Sequence, residues 1–270
     1  MVCFPNAKIN IGLTVKGKRV DGFHNLETVF YPIPFQEVLE VLENTETEDE
    51  FDLTVSGNAI EGSIENNLCY KAYILLKKDF PQLPNVRVLL HKNIPTGAGL
   101  GGGSANGAFM LQLLNDKFDL QIPHSQLLEY ALALGSDCPF FILNQPCLAE
   151  GRGELLQPIK LNLSHFSIII INPGIHIHTG TAFKELKPTP EKSNIQNAIQ
   201  MPIEMWKEHI FNDFESGIFN KYPTIEKIKH QLYKEGALFA SMTGTGSSVF
   251  GIFNEKKQID FSENYFLKWV

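Results

Sequence analysis

The chain has 270 residues, of which 43% are hydrophobic and 20% charged, and its formal net charge is −7. This composition is typical of a globular protein, and the acidic balance argues against nucleic acid as the main partner because no basic cluster offsets it. No apolar run reaches the roughly 20 residues that a membrane-spanning helix needs, and Met1 to Gly12 contains no apolar signal-peptide core. We therefore expect a cytoplasmic protein without nucleic-acid or membrane partners, and the net charge does not argue against a phosphorylated small ligand.

The four cysteines are Cys3, Cys69, Cys138 and Cys147, and none of them forms a C-x-x-C pair with another. This spacing does not favour a disulfide framework in a cytoplasmic chain. We expect buried free thiols.

The first predicted strand runs from Ala7 to Val15, where polar and apolar residues alternate. Lys8 and Asn10 share its polar face, so they either point to solvent or line a cleft. Arg19–Asn25 is a predicted turn with Asp-Gly at its centre. Further along, the patterns predict strands at Leu26–Tyr31, Glu37–Leu42 and near Asp52–Val55, a solvated acidic loop at Glu43–Asp52, and an amphipathic helix at Leu68–Phe80.

A glycine-rich segment follows, with six glycines in the eleven residues from Gly97 to Gly107. Glycine at this density costs backbone entropy and is expected where the backbone bends sharply or approaches a ligand. A β-branched strand at Val86–Leu90 precedes the segment, and a buried helix that includes Ala108–Leu114 follows it, with Ser104 as the candidate N-cap. The unpaired N–H groups and the dipole at the start of such a helix favour an oligophosphate ligand.

Two common phosphate-binding patterns do not fit these glycines. The P-loop requires a lysine before its serine, and Gly102-Gly103-Ser104 has none. Gly97–Gly102 matches the dinucleotide pattern G-x-G-x-x-G, but no second strand ending in an acidic residue follows. A third pattern, P-x-x-x-G-L-G-x-x-S-A, fits residues 95–105, and its fixed positions are Pro95, Gly99, Leu100, Gly101, Ser104 and Ala105.

After this loop, the chain is predicted to form a helix at Ser125–Leu134 and then an apolar strand that begins after Asp137. A charge beside an apolar segment is costly unless it has partners, so Asp137 either caps a turn or serves a function. Ala149–Glu154 is interpreted as a crossing between domains.

The second half of the chain is predicted to open with a strand buried on both faces, Phe166–Asn172. His176 and His178 are expected on one face of a strand, and two ligands without a third favour surface residues over a metal site. The remaining predictions are a helix or turn from Thr179 to Lys184, a loop at Pro188–Asn197, helices at Ile203–Phe219 and Pro223–Glu235, strands at Phe239–Met242 and Val249–Phe253, and a glycine turn at Thr243–Ser248.

Three separated blocks resemble the signature motifs of the GHMP kinases, the family of galactose, homoserine, mevalonate and phosphomevalonate kinases. They are Ala7-Lys8-Ile9-Asn10, the loop from Pro95 to Ala105, and Thr243-Gly244-Thr245-Gly246, in the order of the family. Within that family, the chain resembles most the members that phosphorylate 4-diphosphocytidyl-2-C-methyl-D-erythritol on the methylerythritol phosphate route to isoprenoids. The segments that carry this resemblance are PNAKINIGLTVKGKRVDGFHNLETVF, HKNIPTGAGLGGGSAN, LGSDCPFFI, AEGRGELL and MTGTGSSVFGIF.

This resemblance implies the two-domain α+β fold of the GHMP kinases. Residues 1–153 would form a domain like the second domain of ribosomal protein S5, and residues 154–270 a ferredoxin-like domain, with the active site between the two. The implied reaction transfers phosphate from ATP, with Mg²⁺, to the 2-hydroxyl of the cytidylated substrate. The protein is expected as a monomer or a homodimer.

The resemblance also implies the role of each matching residue. Asp137 would take the proton of the attacking hydroxyl or orient that hydroxyl, and Lys8 would keep the carboxylate ionised and offset charge at the transferring phosphoryl group. Ser104 could touch phosphate or Mg²⁺. The implied nucleotide-binding residues are Pro95, Gly97, Gly99, Leu100, Gly101, Gly102, Gly103, Ser104, Ala105, Thr245 and Gly246.

At the substrate end, Phe23-His24 stands where the family has a Tyr-His pair, which keeps the stacking face and removes one hydroxyl. Phe183 would cover the other side of the cytosine ring, while His24 and Lys92 would meet its polar edge or nearby groups. Asn10 would face the methylerythritol hydroxyls. Another GHMP kinase of a small alcohol, or a non-catalytic GHMP relative that senses a ligand or binds a partner, are the alternatives.

Overall fold

A computed structural model describes residues 1–60, 62–184, 186, 194–261 and 264–270. Contacts between residues divide the chain into two compact units, each assembled from separate segments. Unit 1 comprises Met1–Ala7, Pro34–Thr96 and Gly101–Gln145, and unit 2 comprises Lys8–Ile33, Gly97–Leu100 and Pro146–Val270. The domain boundary that we expect between residues 153 and 154 divides the chain into two continuous domains, and it stays a prediction.

The strands in chain order are β1 (Val2–Cys3), β2 (Asn6–Lys18), β3 (His24–Gln36), β4 (Val38–Glu43), β5 (Phe51–Gly57), β6 (Val86–Lys92), β7 (Cys147–Gly151), β8 (Leu155–Pro158), β9 (Ser167–Asn172), β10 (Phe239–Met242), β11 (Val249–Phe253) and β12 (Phe266–Trp269). The helices are α1 (Leu68–Asp79), α2 (Gly102–Lys117), α3 (His124–Leu134), α4 (Cys138–Leu143), α5 (Thr179–Lys184), α6 (Ile195–Ala198), α7 (Ile203–His209), α8 (Glu215–Lys221) and α9 (Pro223–Lys234). None of the helices in the described ranges is long and apolar enough to cross a membrane.

Unit 1 is built on a four-stranded sheet in the order β1-β4-β6-β5, in which β5 and β6 run parallel and the other pairs antiparallel. Val86, Val88 and Leu90 alternate along β6 and are buried, as the predicted strand required. Helix α2 packs on α1, α3 and α4 and reaches β1 and β4. The core of unit 1 therefore surrounds α2, the helix that follows the glycine loop.

Unit 2 contains two four-stranded sheets, ordered β2-β3-β7-β8 and β10-β11-β9-β12. Strand β9 lies between β11 and β12, and Ile168–Ile171 are buried, which confirms the prediction of a strand covered on both faces. Helices α8 and α9 contribute Ile218, Ile225 and Ile228 to the core on this sheet. Strand β12, at the end of the chain, was not predicted.

The prediction of one helix over Ile203–Phe219 is wrong. The chain forms two helices there, α7 and α8, with a non-helical segment between them. Asn212 in that segment donates from Nδ2 to the carbonyl oxygens of Met242 and Gly244, both at 2.8 Å. Asp213 N–H donates to Leu13 O, and Leu13 N–H donates to Phe211 O, both at 2.9 Å. These tertiary hydrogen bonds replace those that a continuous helix would make, so the interruption is stable.

Other local predictions are also corrected. The apolar segment after Asp137 is helix α4, because a fully buried run carries no periodicity and Pro139 suits a helix start. Ala149–Glu154 belongs to the β7–β8 hairpin, whose turn is closed by a 3.0 Å bond from Gly153 N–H to Glu150 O. Of the predicted loop Pro188–Asn197, residues 188–193 lie outside the described ranges, and α6 occupies the end.

Candidate active site

The glycine loop ends in unit 1 at the first turn of α2. The helix begins at Gly102, so Gly101 is its N-cap with φ +74°, and Ser104 lies inside the first turn, which corrects its prediction as the N-cap. Ala105 N–H bonds to Gly101 O at 2.9 Å, whereas the N–H groups before it have no partner within the helix. Gly103 is exposed, and a Cβ there would meet no atom within 4 Å. This turn therefore offers donors and a positive dipole to an anion.

The start of the loop lies in unit 2 on the glycine turn after β10. Gly99 has φ +75°, and a Cβ there would collide with the carbonyl oxygen of Thr243. Thr243 Oγ1 donates to Gly99 O at 3.0 Å, and Ser248 N–H donates to Ala98 O at 3.3 Å. Only glycine fits this close approach of two backbones, so the two glycine-rich segments fix each other.

Lys8 and Asn10 lie on β2 and are buried, with 3% and 2% exposure, so the solvent-facing alternative is wrong. Lys8 Nζ donates to Asn10 Oδ1 and lies 4.9 Å from the centre of the Phe30 ring. Asn10 N–H donates to Thr243 Oγ1, and Asn10 Nδ2 to Thr28 Oγ1, both at 3.0 Å. A buried ammonium is costly unless it is bonded, so this network holds Lys8 in one position.

Asp137 lies in unit 1 at the N-cap position of α4, half-buried, and its side chain makes no capping hydrogen bond. The carboxylate therefore does not cap helix α4, and its role stays a prediction. The next residue, Cys138, is fully buried, which raises the pKa of its thiol to about 12, and Ser104 hydrogen-bonds to that thiol. The first turns of α2 and α4 are thus neighbours, and Ser104 contacts the residue that follows Asp137.

Lys92 forms a buried ion pair with Glu37, a residue that the sequence did not single out. The two side chains are 4% and 0% exposed, and Glu37 Oε1 also accepts from Ile94 N–H at 3.3 Å. Burial raises the pKa of the Glu37 carboxyl, and the nearby Lys92 ammonium opposes that shift. A Cβ at Gly102 would lie 3.5 Å from Glu37 Oε1, so this pair lies directly behind the first turn of α2.

The predicted substrate residues of unit 2 form two separate contacts. His24 stacks on Phe183, with ring centroids 4.7 Å apart and planes 20° apart. Phe23 is 51% exposed, and the guanidinium carbon of Arg152 lies 4.8 Å from the centre of its ring. Arg152 was also missed by the sequence analysis, since nothing in its neighbourhood along the chain indicates a contact with Phe23.

His176 and His178 lie in the segment between β9 and α5, which is not a strand as predicted, because β9 ends at Asn172. Their rings meet edge to face at 4.6 Å, and both side chains are exposed. His176 occupies the space that a Cβ at Gly97 would need. Within the described ranges, no three side chains of His, Cys, Asp or Glu are grouped so that they could hold a metal ion.

Two family models match the chain, the GHMP kinases N terminal domain over residues 67–145 and the GHMP kinases C terminal domain over residues 194–266. The crystal structure of a mevalonate kinase from Methanococcus jannaschii has the same fold, with a TM-score of 0.67 at 11% identity, covering 100% of this chain and 97% of its own. The chain is therefore a member of the GHMP kinases, which use ATP as the phosphoryl donor, and its two-domain α+β fold is confirmed.

The similarity extends to one branch of these kinases. The 4-diphosphocytidyl-2-C-methyl-D-erythritol kinase of Bacteroides fragilis (strain ATCC 25285) is 49% identical, over 96% of this chain and 94% of its own. The crystal structure of a 4-(cytidine 5'-diphospho)-2C-methyl-D-erythritol kinase has a TM-score of 0.80 at 28% identity and covers 93% of this chain and 90% of its own. The chain belongs to the 4-diphosphocytidyl-2-C-methyl-D-erythritol kinase family, and it is a phosphotransferase.

Proposed function

We propose that this chain transfers the γ-phosphoryl group of ATP to the 2-hydroxyl of 4-diphosphocytidyl-2-C-methyl-D-erythritol, in the methylerythritol phosphate route to isoprenoid precursors. The observation that carries the proposal is the first turn of α2, which has no side-chain cap. The loop that precedes it in the chain is hydrogen-bonded to Thr243 through Gly99 O. Family membership supports the choice of substrate. We infer that the protein acts in the cytoplasm as a monomer or a homodimer.

Asp137 is the proposed acceptor or orienting group for the proton of the attacking hydroxyl. As the oxygen–phosphorus bond forms, the bond from the γ-phosphorus to its bridging oxygen breaks and ADP leaves. The Lys8 ammonium offsets the negative charge on the attacking oxygen and the transferring group. The Asn10 side chain, which accepts from Lys8, keeps that ammonium in position and faces the methylerythritol hydroxyls.

The loop residues are proposed to bind the ATP phosphates through backbone N–H groups. Thr245 and Gly246 belong to the turn that holds the loop, and Thr245 Oγ1 lies 3.5 Å from Thr179 Oγ1. The proposed N–H donors lie between Gly97 and Ser104, namely Gly97, Gly99, Leu100, Gly101, Gly102, Gly103 and Ser104. Pro95, which has no N–H, and Ala105, whose N–H bonds to Gly101 O, form the two ends of the proposed nucleotide-binding loop.

Mg²⁺ neutralises charge on the phosphate oxygens when it is bound. Mg²⁺ in phosphoryl-transfer sites is held mainly by substrate phosphates and water, with few protein ligands. The Ser104 hydroxyl, half-buried in the first turn of α2, is the proposed protein ligand.

For the cytidine end, we propose that Phe23 and Phe183 cover the two faces of the cytosine ring and that His24 meets its polar edge. The contact of His24 with Phe183 supports this grouping. Lys92 has less support for a direct contact, because its ammonium is buried against Glu37.

The test is ATP consumption by the purified protein with the cytidylated substrate, with mevalonate and homoserine as control alcohols. For Asp137→Asn, kcat should fall by about 10²–10⁴, the usual size of a general-base contribution, while the affinity for ATP is unchanged. Asp119→Asn is the matched control, because Asp119 is exposed and its φ of +48° suits asparagine.

Turnover of the cytidylated substrate alone, lost in Asp137→Asn, would support both the reaction and its carboxylate. Full turnover in that variant would remove Asp137 from the mechanism. ATP binding without turnover of any of the three alcohols would exclude the proposed substrate.

A further inference from the structure

The backbone of Phe23 is fixed in the β2–β3 turn, although its ring is exposed. Arg19 N–H donates to Phe23 O at 2.8 Å, and Phe23 N–H donates to Asp21 Oδ1 at 3.2 Å. Arg19 Nε bonds both carboxylate oxygens of Asp21, at 3.2 and 3.1 Å, and a further guanidinium nitrogen donates to Asn25 Oδ1 at 3.1 Å. The turn therefore holds the backbone of Phe23 in place while its ring remains 51% exposed.

Strand pairing brings a second turn beside the first. Leu26 on β3 pairs with Gly151 on β7, so the β7–β8 turn lies next to the β2–β3 turn. A Cβ at Gly151 would lie only 2.8 Å from Glu154 Oε2, so glycine lets that carboxylate approach the backbone. There Glu154 Oε2 accepts from Arg152 N–H. The turn therefore fixes the backbone of Arg152.

The Arg152 side chain points to Phe23. Glu154 Oε1 lies 3.5 Å from Arg152 Nε, yet this buried Nε makes no hydrogen bond within the described ranges. The guanidinium carbon lies 4.8 Å from the Phe23 ring centre, which is within the range of a cation–π contact. One face of Phe23 is therefore covered by a cation, while 51% of the residue remains exposed.

We propose that Arg152 is a specificity-determining positioning residue, which fixes the Phe23 ring from one face so that the other face stacks on the cytosine of the substrate. Phenylalanine has no hydroxyl through which a hydrogen bond could orient it, so the guanidinium replaces that constraint. This inference rests on the proposed cytidylated substrate.

The experiment is a double-mutant cycle of Arg152→Met and Phe23→Leu, because such a cycle isolates the coupling between two side chains. Methionine resembles the aliphatic part of the arginine side chain and removes the planar cation. KM and kcat are measured for the cytidylated substrate and for ATP, and CDP binding is measured by calorimetry whether or not turnover is seen. Arg87→Met is the matched control, since Arg87 pairs with Glu46 and Asp52 on unit 1.

We expect Arg152→Met to raise KM for the cytidylated substrate, and Kd for CDP, by about two- to fivefold, the size of a cation–π contact at an exposed site. The kcat value and the KM for ATP should stay unchanged, as should all constants of Arg87→Met. In the Phe23→Leu background, Arg152→Met should have no further effect. Arg152→Lys should restore part of the loss, because it keeps the charge without the planar group.

Equal effects of Arg152→Met in both backgrounds would mean that Arg152 contacts the substrate directly and would overturn the inference. Unchanged KM and Kd in Arg152→Met would overturn it as well. Coupled effects on CDP binding without turnover would uphold the role of Arg152 and exclude the proposed reaction. A wild-type protein that neither turns over the substrate nor binds CDP would overturn both.

Discussion

Thr243 illustrates how one hydroxyl organises the unit 2 part of the candidate site. It is fully buried, accepts from Asn10 N–H at 3.0 Å and donates to Gly99 O at 3.0 Å. The strand that carries Lys8 and the loop that carries Gly99 are therefore joined at one side chain. A buried hydroxyl with both bonds made is favourable, whereas its removal leaves a buried donor and a buried acceptor unpaired.

Thr243→Val keeps the shape of the side chain and removes both bonds, so we expect the free energy of unfolding to fall by about 1–3 kcal/mol. Thr243→Ser, which keeps the hydroxyl, should lose less. Urea unfolding followed by circular dichroism gives both values. Equal stability of the valine variant and the wild type would show that these bonds do not stabilise the fold.

The sequence could indicate Lys8, Asn10 and the loop glycines because each belongs to a local pattern. Alternation placed Lys8 and Asn10 on one face of a strand, and glycine density marked the loop. Glu37 and Arg152 could not be found in this way. Their importance depends on contacts with residues that are distant in the sequence, Lys92 and Phe23, and no local pattern encodes such pairs.

Helices and strands were predicted well wherever a periodic pattern met a clear boundary, as at β10, β11 and α9. Predictions failed where burial removed the pattern or a tertiary bond overrode it. Helix α4 is buried on nearly all sides, so its sequence does not distinguish helix from strand. The break between α7 and α8 depends on Asn212, whose partners lie about 30 residues further along the chain.

Two glycines on either side of the start of α2 should respond differently to alanine. In Gly99→Ala, the φ of +75° and the collision with Thr243 O should lower the free energy of unfolding by about 2 kcal/mol or more. In Gly103→Ala, stability should be unchanged or rise by up to about 1 kcal/mol, because alanine favours the helix. Its Cβ would instead stand where phosphate approaches, so KM for ATP should rise several-fold.

Thermal unfolding and ATP kinetics of the two variants check this contrast. A Gly103→Ala protein with normal KM for ATP would remove the first turn of α2 from the phosphate site. A Gly99→Ala protein with wild-type stability would show that the loop can move away from Thr243.

For the molecule as a whole, buried thiols make the free energy of unfolding depend on pH in the alkaline range. Burial raises the pKa of Cys69 and of Cys138 from 9.0 to about 12. In the unfolded chain these thiols ionise near pH 9, whereas in the fold they stay protonated until about pH 12. The contribution of these protonated thiols to the free energy of unfolding is therefore complete below pH 9, and it is lost as the pH rises towards 12.

We expect the free energy of unfolding to fall above pH 9 by about 1.4 kcal/mol per pH unit for each such thiol. Denaturant unfolding between pH 8 and pH 11 measures this slope. Cys69→Ala should be less stable at pH 8 because of the lost volume, yet its slope above pH 9 should be smaller. Parallel curves for the two proteins would contradict the raised pKa of Cys69.

The bonds between β2 and the segment after α7 have a consequence for synthesis of the chain. Val15 N–H donates to Asp213 Oδ2 at 2.7 Å, across 198 residues of sequence. At about 5–20 residues per second on the ribosome, the N-terminal hairpin waits about 10–40 s before this partner is made. Until then, Leu13 lacks Phe214 and Ile218, which share its hydrophobic core in the finished protein, so this part of β2 cannot complete its packing before the C-terminal half has been made.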